Sequence, residues 1–148
     1  MSFPPFWIGP ATAVPAEVDK YDHLAETFTI GRDLSDAAGL TRIGLHWEVL
    51  PSGHRSTLPH AEEREEEFVL VVRGSVQAWV DGAMHPMRAG DIAIFRAGTG
   101  VAHAIYNYSS EDAVLFVGGE RRVPGNRRYY PMNPEMRSIV GEEKWWQP

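Results

Sequence analysis

Between residues 27 and 119 the chain is a succession of short apolar or alternating runs, each closed by a turn signal. No amphipathic stretch is long enough for a helix that could carry a core, so the hydrophobic residues must be buried by packing strands on strands. The segment TFTIGRDL reads as a strand, and LSDAAGL reads as a turn in which Ser35 or Asp36 bonds local amides. In LTRIGLHWEVL the apolar Ile43, Leu45, Trp47 and Val49 alternate with Gly44, His46 and Glu48, the two-residue period of a strand. FVLVVRG, residues 68–74, is continuously apolar, which predicts a strand buried on both faces. Asp81-Gly82 lies between two alternating runs and has the residues of a two-residue type I′ hairpin. DIAIF, VAHAIYN and DAVLFVGG complete about eight strands, an antiparallel sandwich or barrel.

The flanks differ. Residues 1–20 are Pro-rich and read as an irregular arm whose Phe3, Phe6 and Trp7 lie against something. The last segment, residues 120–148, is extended apart from one helical turn at PEMRSI. Its Tyr129, Tyr130, Trp145 and Trp146 are too apolar for a free tail and predict packing on the barrel or on a second subunit. A chain of 148 residues fits a single domain, here with an arm (1–40), a barrel (41–119) and a tail (120–148). The formal net charge of -6 argues against a nucleic-acid partner, which would need clustered Lys and Arg. The absence of cysteine excludes thiol catalysis and thiolate metal sites. No basic leader or membrane-spanning stretch is evident, so a cytoplasmic protein is the expectation.

Chemistry concentrates in two blocks. The first, HAEEREEEFVLVVRG from His60 to Gly74, has five Glu among its first eight residues. On a strand His60 and Glu62 share a face, and Glu67 at the head of the next strand can face the same volume. The second block, from Gly90 to Asn107, places His103 in a strand after the Gly-rich AGTG loop. Two imidazoles and two carboxylates converging inside a small barrel suit a divalent transition metal.

These blocks resemble the paired motifs of the cupin superfamily, G-x5-H-x-H-x3,4-E-x6-G and G-x5-P-x-G-x2-H-x3-N. PHAE, EEEFV, AGTGVAH and YPMNPE, in that order, are similar to small single-domain prokaryotic cupins. The resemblance implies an all-β fold, a double-stranded β-helix (jelly-roll) barrel holding a metal. It assigns His60, Glu67 and His103 to motif ligand positions and puts Glu62 where the second His of H-x-H would stand. Arg96 occupies the usual Pro position, and the glycine spacings before His60 and His103 are longer than in the motif.

The expected metal ligands are therefore His60, Glu62, Glu67 and His103, with Glu63, Glu65 and Glu66 solvated. Two carboxylates among the donors shift the preference toward zinc, manganese or iron. His46 and Glu48 are candidate substrate contacts, and Arg96 could hold an anionic ligand at the barrel mouth. Trp47 and Trp79 are expected in the core, and Asn107 is expected to fasten a loop. Two functions stay open: a metal-dependent enzyme on a small organic molecule, with isomerase, epimerase or dioxygenase chemistry, or a non-catalytic barrel that binds or senses a metabolite. The aromatic-rich flanks predict a homodimer.

Overall fold

The computed structural model describes residues 2–148. The strands are β1 (Glu17–Lys20), β2 (Thr27–Asp33), β3 (Ile43–Leu50), β4 (Ala61–Glu62), β5 (Glu67–Arg73), β6 (Ser75–Val80), β7 (Ala83–Arg88), β8 (Ile92–Phe95), β9 (His103–Tyr106), β10 (Ala113–Glu120) and β11 (Arg128–Tyr129). Two short helices, α1 (Leu34–Ala38) and α2 (Met136–Val140), join them. A six-stranded sheet, ordered β1-β2-β3-β10-β5-β8, faces a three-stranded sheet, β7-β6-β9, and β11 and β4 form a separate two-stranded pair. Every named pairing is antiparallel. This is the antiparallel class that the turn spacing predicts, in the jelly-roll form that the cupin resemblance implies. No described helix is long and apolar enough to cross a membrane.

The β6-β7 hairpin closes at Asp81 (φ 46°) and Gly82 (φ 91°), the left-handed pair a type I′ turn requires. Leu50, Val69, Val71, Val76, Ile105 and Leu115 fill the space between the sheets. Asn107 is fully buried and fastens its loop as expected, donating to the carbonyls of Leu50 and Glu111 at 2.9 and 2.8 Å.

Several expectations change. The first twenty residues are not wholly irregular, because β1 pairs with β2 at the sheet edge. LSDAAGL is a helix: the Asp33 carboxylate accepts from the Asp36 N–H, and Gly39 ends it at φ 70°. β5 buries Val69 and Val71 but leaves Val72, on the opposite face of the strand, 38% exposed, so the strand is not buried on both faces. On β3 the faces are reversed. His46 and Glu48 look into the barrel with Leu50, while Trp47 is half-buried outside, paired across the ladder with Phe116.

The tail packs on its own barrel. β11 pairs with β4, Arg128 opposite Glu62 and Tyr129 opposite Ala61. Behind this pair Tyr130, Met136 and Trp145 form a second core with Phe28 and Leu58. The helical turn expected at PEMRSI is α2, and it supplies Met136.

Candidate metal centre

His60 and His103 lie opposite each other in an isolated antiparallel bridge, exchanging backbone hydrogen bonds of 3.2 and 3.0 Å. That bridge brings the two imidazoles to 5.3 Å between ring centroids. Phe95 stacks flat on His103 at 3.6 Å, fixing its plane. His60 Nδ1 lies 2.9 Å from the Leu58 carbonyl; as a donor there it leaves Nε2 as the free lone pair, facing the acids.

Glu67 enters from β5. Its Oε2 is 3.0 Å from His103 Nε2 and 3.9 Å from His60 Nε2. The position depends on Gly119 opposite it: a Cβ there would stand 2.2 Å from the Glu66 carbonyl oxygen, so only glycine lets β10 come this close. One ligand atom from each of His60, Glu67 and His103 falls within 4.8 Å of the others. His103 faces Glu67 through Nε2, and its other ring nitrogen, Nδ1, is buried with no hydrogen-bond partner. Two nitrogens and one carboxylate form a borderline-hard donor set that fits zinc, manganese or iron.

Glu62 is beside this group but not part of it. Its Oε1 is 3.5 Å from His60 Nε2, yet the same atom accepts from Arg128 Nε at 2.8 Å, and Oε2 accepts from Asn126 Nδ2 at 2.6 Å. Both oxygens of the expected fourth ligand are engaged by the tail. The rest of the acidic block is also less solvated than expected. Glu63 makes a two-pronged pair with Arg127, at 2.7 and 2.8 Å. Glu65 accepts from the Val123 N–H, and exposed Glu66 accepts from the Ala97 N–H. The block HAEEREEE is thus largely a socket for the C-terminal segment, and only Glu67 joins the two histidines.

The charges follow from these contacts. Burial pushes the Glu67 carboxyl up, but the His103 hydrogen bond and the His60 charge outweigh it and hold it below its ordinary value. For Glu62 burial is again opposed, here by His60 and Arg128, which bring it down to about 2. Burial pulls the His60 imidazole down, while Glu62 and Glu67 more than compensate and leave it raised.

The triad opens into a cavity of about 330 Å³ that His46 and Glu48 also line. Burial and the nearby Asp19 charge push Glu48 up to about 7, with a Thr29 hydrogen bond in partial opposition. The sequence pointed to this pair by its spacing, but the inward turn of their face had to come from the register of β3 with β10. Arg96 is not brought to the cavity; it is exposed on a separate groove beside His85 and Ile94. Asp19 and Tyr21 also line the cavity, but no local pattern marks them, because Asp19 lies at the end of the Pro-rich arm and Tyr21 directly follows it.

Comparison with known proteins agrees with this picture. The Cupin domain family matches residues 46–118. A sugar phosphate isomerase of the cupin superfamily from Silicibacter pomeroyi is 34% identical, with a TM-score of 0.67 over 70% of this chain and 66% of that one. A provisionally named sugar phosphate isomerase from Acidithiobacillus ferrooxidans is 31% identical, with a TM-score of 0.66 over 70% of this chain and 65% of that one. This chain therefore spans just under two thirds of the length of either. The polyketide cyclase RemF from Streptomyces resistomycificus shares the fold at 18% identity, with a TM-score of 0.70 over 94% of this chain and 96% of that one. No curated protein matches the chain. The motif blocks, the jelly-roll sheets and the family match over the barrel together make this chain a cupin-domain protein.

Proposed function

We propose that this protein is a metal-dependent enzyme acting on a small hydroxylated carbonyl compound, with isomerase or epimerase chemistry. The observation that carries the reading is the His60, Glu67 and His103 cluster opening onto a cavity shared with His46 and Glu48. A divalent ion on those three side chains would supply Lewis-acid polarisation of a substrate oxygen. The protein's own groups do the rest. Glu48, pushed up to about 7, can take or give a proton near neutral pH. His46, on the same face of β3, stands ready to hold a substrate hydroxyl or relay that proton. Leu115, Val117 and Ile105 make the apolar part of the wall and limit water around the reacting carbon. Two relatives above 30% identity carry the sugar phosphate isomerase name, which supports this class over others.

The test is proton exchange in D2O. Protein loaded with manganese, iron or zinc is incubated with aldoses, ketoses and their phosphates, and loss of the proton beside the carbonyl is followed by NMR. Metal-dependent exchange that disappears in His103→Ala is the expected result. Metal-loaded protein that exchanges no proton on any of them overturns the isomerase reading. Bound sugar without turnover would indicate a binding barrel instead. The two-histidine, one-carboxylate set also suits a non-haem iron oxygenase, and oxygen uptake with ferrous protein is the discriminating signal for that second reading.

The same reading includes a homodimer. The outer face of the large sheet leaves Ile43 52%, Ile92 51% and Ile94 70% exposed, and the N-terminal Phe6 and Ile8 are 70% and 87% exposed. Sedimentation at micromolar concentration should show twice the 16.6 kDa mass; a monomer only would remove this part.

A further inference from the structure

The sign of the charge reverses at one place on this acidic chain. Beside the tail lies a pocket of about 380 Å³ whose wall carries Arg121, Arg122, Arg128 and Lys144 against a single acid, Glu65. Glu65 is itself occupied by the Val123 N–H. The cations are held from outside the pocket. Arg121 is anchored by Asp36 at 2.8 Å and by the Leu40 carbonyl at 3.3 Å, with its side chain only 15% exposed. Arg128 is anchored through Nε to Glu62. Neither Asp36 nor Glu62 lines this pocket. Arg122 is 3.7 Å from Asp36 and 67% exposed, and Lys144 has no ion-pair partner among the described residues.

A space of about 270 Å³ shares Arg121, Arg128 and Glu65 with this pocket and His46, Glu62 and Glu67 with the metal-centre cavity; its wall also carries Asp33 and Glu120. Adjoining that space, and sharing Asp33 and His46 with it, is an acidic cavity whose wall also carries Glu17, Asp19 and Glu48. An elongated molecule with one anionic end therefore has a single favourable orientation along the run.

We propose that the Arg121, Arg122, Arg128 and Lys144 pocket binds the phosphate of a small phosphate monoester whose other end reaches the His60, Glu67 and His103 centre. What happens at that other end rests on the function proposed above; the phosphate site itself does not. Guanidinium forks match phosphate oxygens two at a time, and Lys144 adds a mobile point charge. A dianion is favoured over a monocarboxylate because Arg122 and Lys144 add positive charge beyond the pairs that Asp36 and Glu62 make with Arg121 and Arg128.

The experiment is calorimetric titration of metal-free, full-length protein with inorganic phosphate at low ionic strength, where screening is weakest. Saturable binding is expected, with acetate at least about ten-fold weaker. The variant Arg122→Gly/Lys144→Ala should bind phosphate about ten-fold or more weakly; glycine suits the φ of 57° at this position, so the backbone is retained. Arg122→Lys, which keeps the charge but not the fork, should lose less affinity than Arg122→Gly/Lys144→Ala. His103→Ala should keep phosphate affinity while losing metal. No saturable phosphate binding, unchanged binding in Arg122→Gly/Lys144→Ala, or acetate binding as tightly as phosphate overturns the proposal. Phosphate affinity lost in His103→Ala would place the anion at the metal centre and overturn it equally. Intact phosphate binding with no proton exchange would reject the isomerase reading and leave the pocket standing.

Discussion

Glu62→Gln asks whether this carboxylate holds the tail, as its contacts indicate. The side chain is 5% exposed, with Arg128 at 2.8 Å, Asn126 at 2.6 Å and His60 at 3.5 Å. Its folded-state value of about 2 lies below the ordinary 4.5. The folded protein thus binds fewer protons than the unfolded chain over that interval. The stability it contributes is fully present above pH 4.5 and is lost as the pH falls through about 2. The displacement corresponds to at most ~3 kcal/mol, because His60 and Arg128 share in it. Glutamine keeps the shape and an acceptor for Arg128 but carries no charge. His60 is raised, so its share is present below its ordinary range and fades as the pH rises through the folded value. The gap between wild type and Glu62→Gln should therefore be widest at about pH 5 to 6, on the order of 1–3 kcal/mol, and narrow toward acid. Urea unfolding of metal-free protein, followed by tryptophan fluorescence from pH 7 to 3, measures it. A gap that does not change with pH, or a glutamine variant that is more stable throughout, would refute the reasoning.

Glu67→Gln and His103→Ala should each weaken metal binding ten-fold or more, ~1.4 kcal/mol or above, whereas Glu62→Gln should stay within about three-fold because its oxygens are engaged elsewhere; competitive chelation compares the three, and equal losses at Glu62 and Glu67 would mean that Arg128 releases its partner to the metal. Gly119→Ala would place a methyl 2.2 Å from the Glu66 carbonyl, so strand separation should cost about 1–3 kcal/mol and weaken metal binding by moving Glu67; unchanged thermal stability and affinity would contradict this. Phe28→Ala removes a ring that is 1% exposed in the second core and should cost about 3–5 kcal/mol in chemical denaturation, and a loss below about 1 kcal/mol would show that the tail contributes little to folding. Glu48 behaves with the opposite sign to Glu62: its folded value is raised, so stability should decline as the pH rises from 4.5 to about 7, and Glu48→Gln should flatten that slope. Parallel stability profiles for wild type and Glu48→Gln would count against a buried, perturbed carboxyl.

Period-two patterning and turn chemistry were enough to identify the strand-rich class, since both act within a few residues. The Asp81-Gly82 hairpin and the loop-fastening role of Asn107 could be read locally. Motif spacing likewise placed His60, Glu67 and His103 together, because the metal motif is a constraint on sequence separation as much as on space. Facing was not legible. Alternation on β3 shows that Trp47 and Glu48 point to opposite sides, but which side is inside depends on β10 and on a cavity that rewards His46 and Glu48 for pointing inward. Nor could the acidic block be divided by inspection. Five carboxylates in eight residues look alike in sequence. Their roles separate only when Asn126, Arg127 and Arg128, more than sixty residues later, fold back onto Glu62 and Glu63. A charge's partner is set by distance in space, and tertiary packing alone determines that distance.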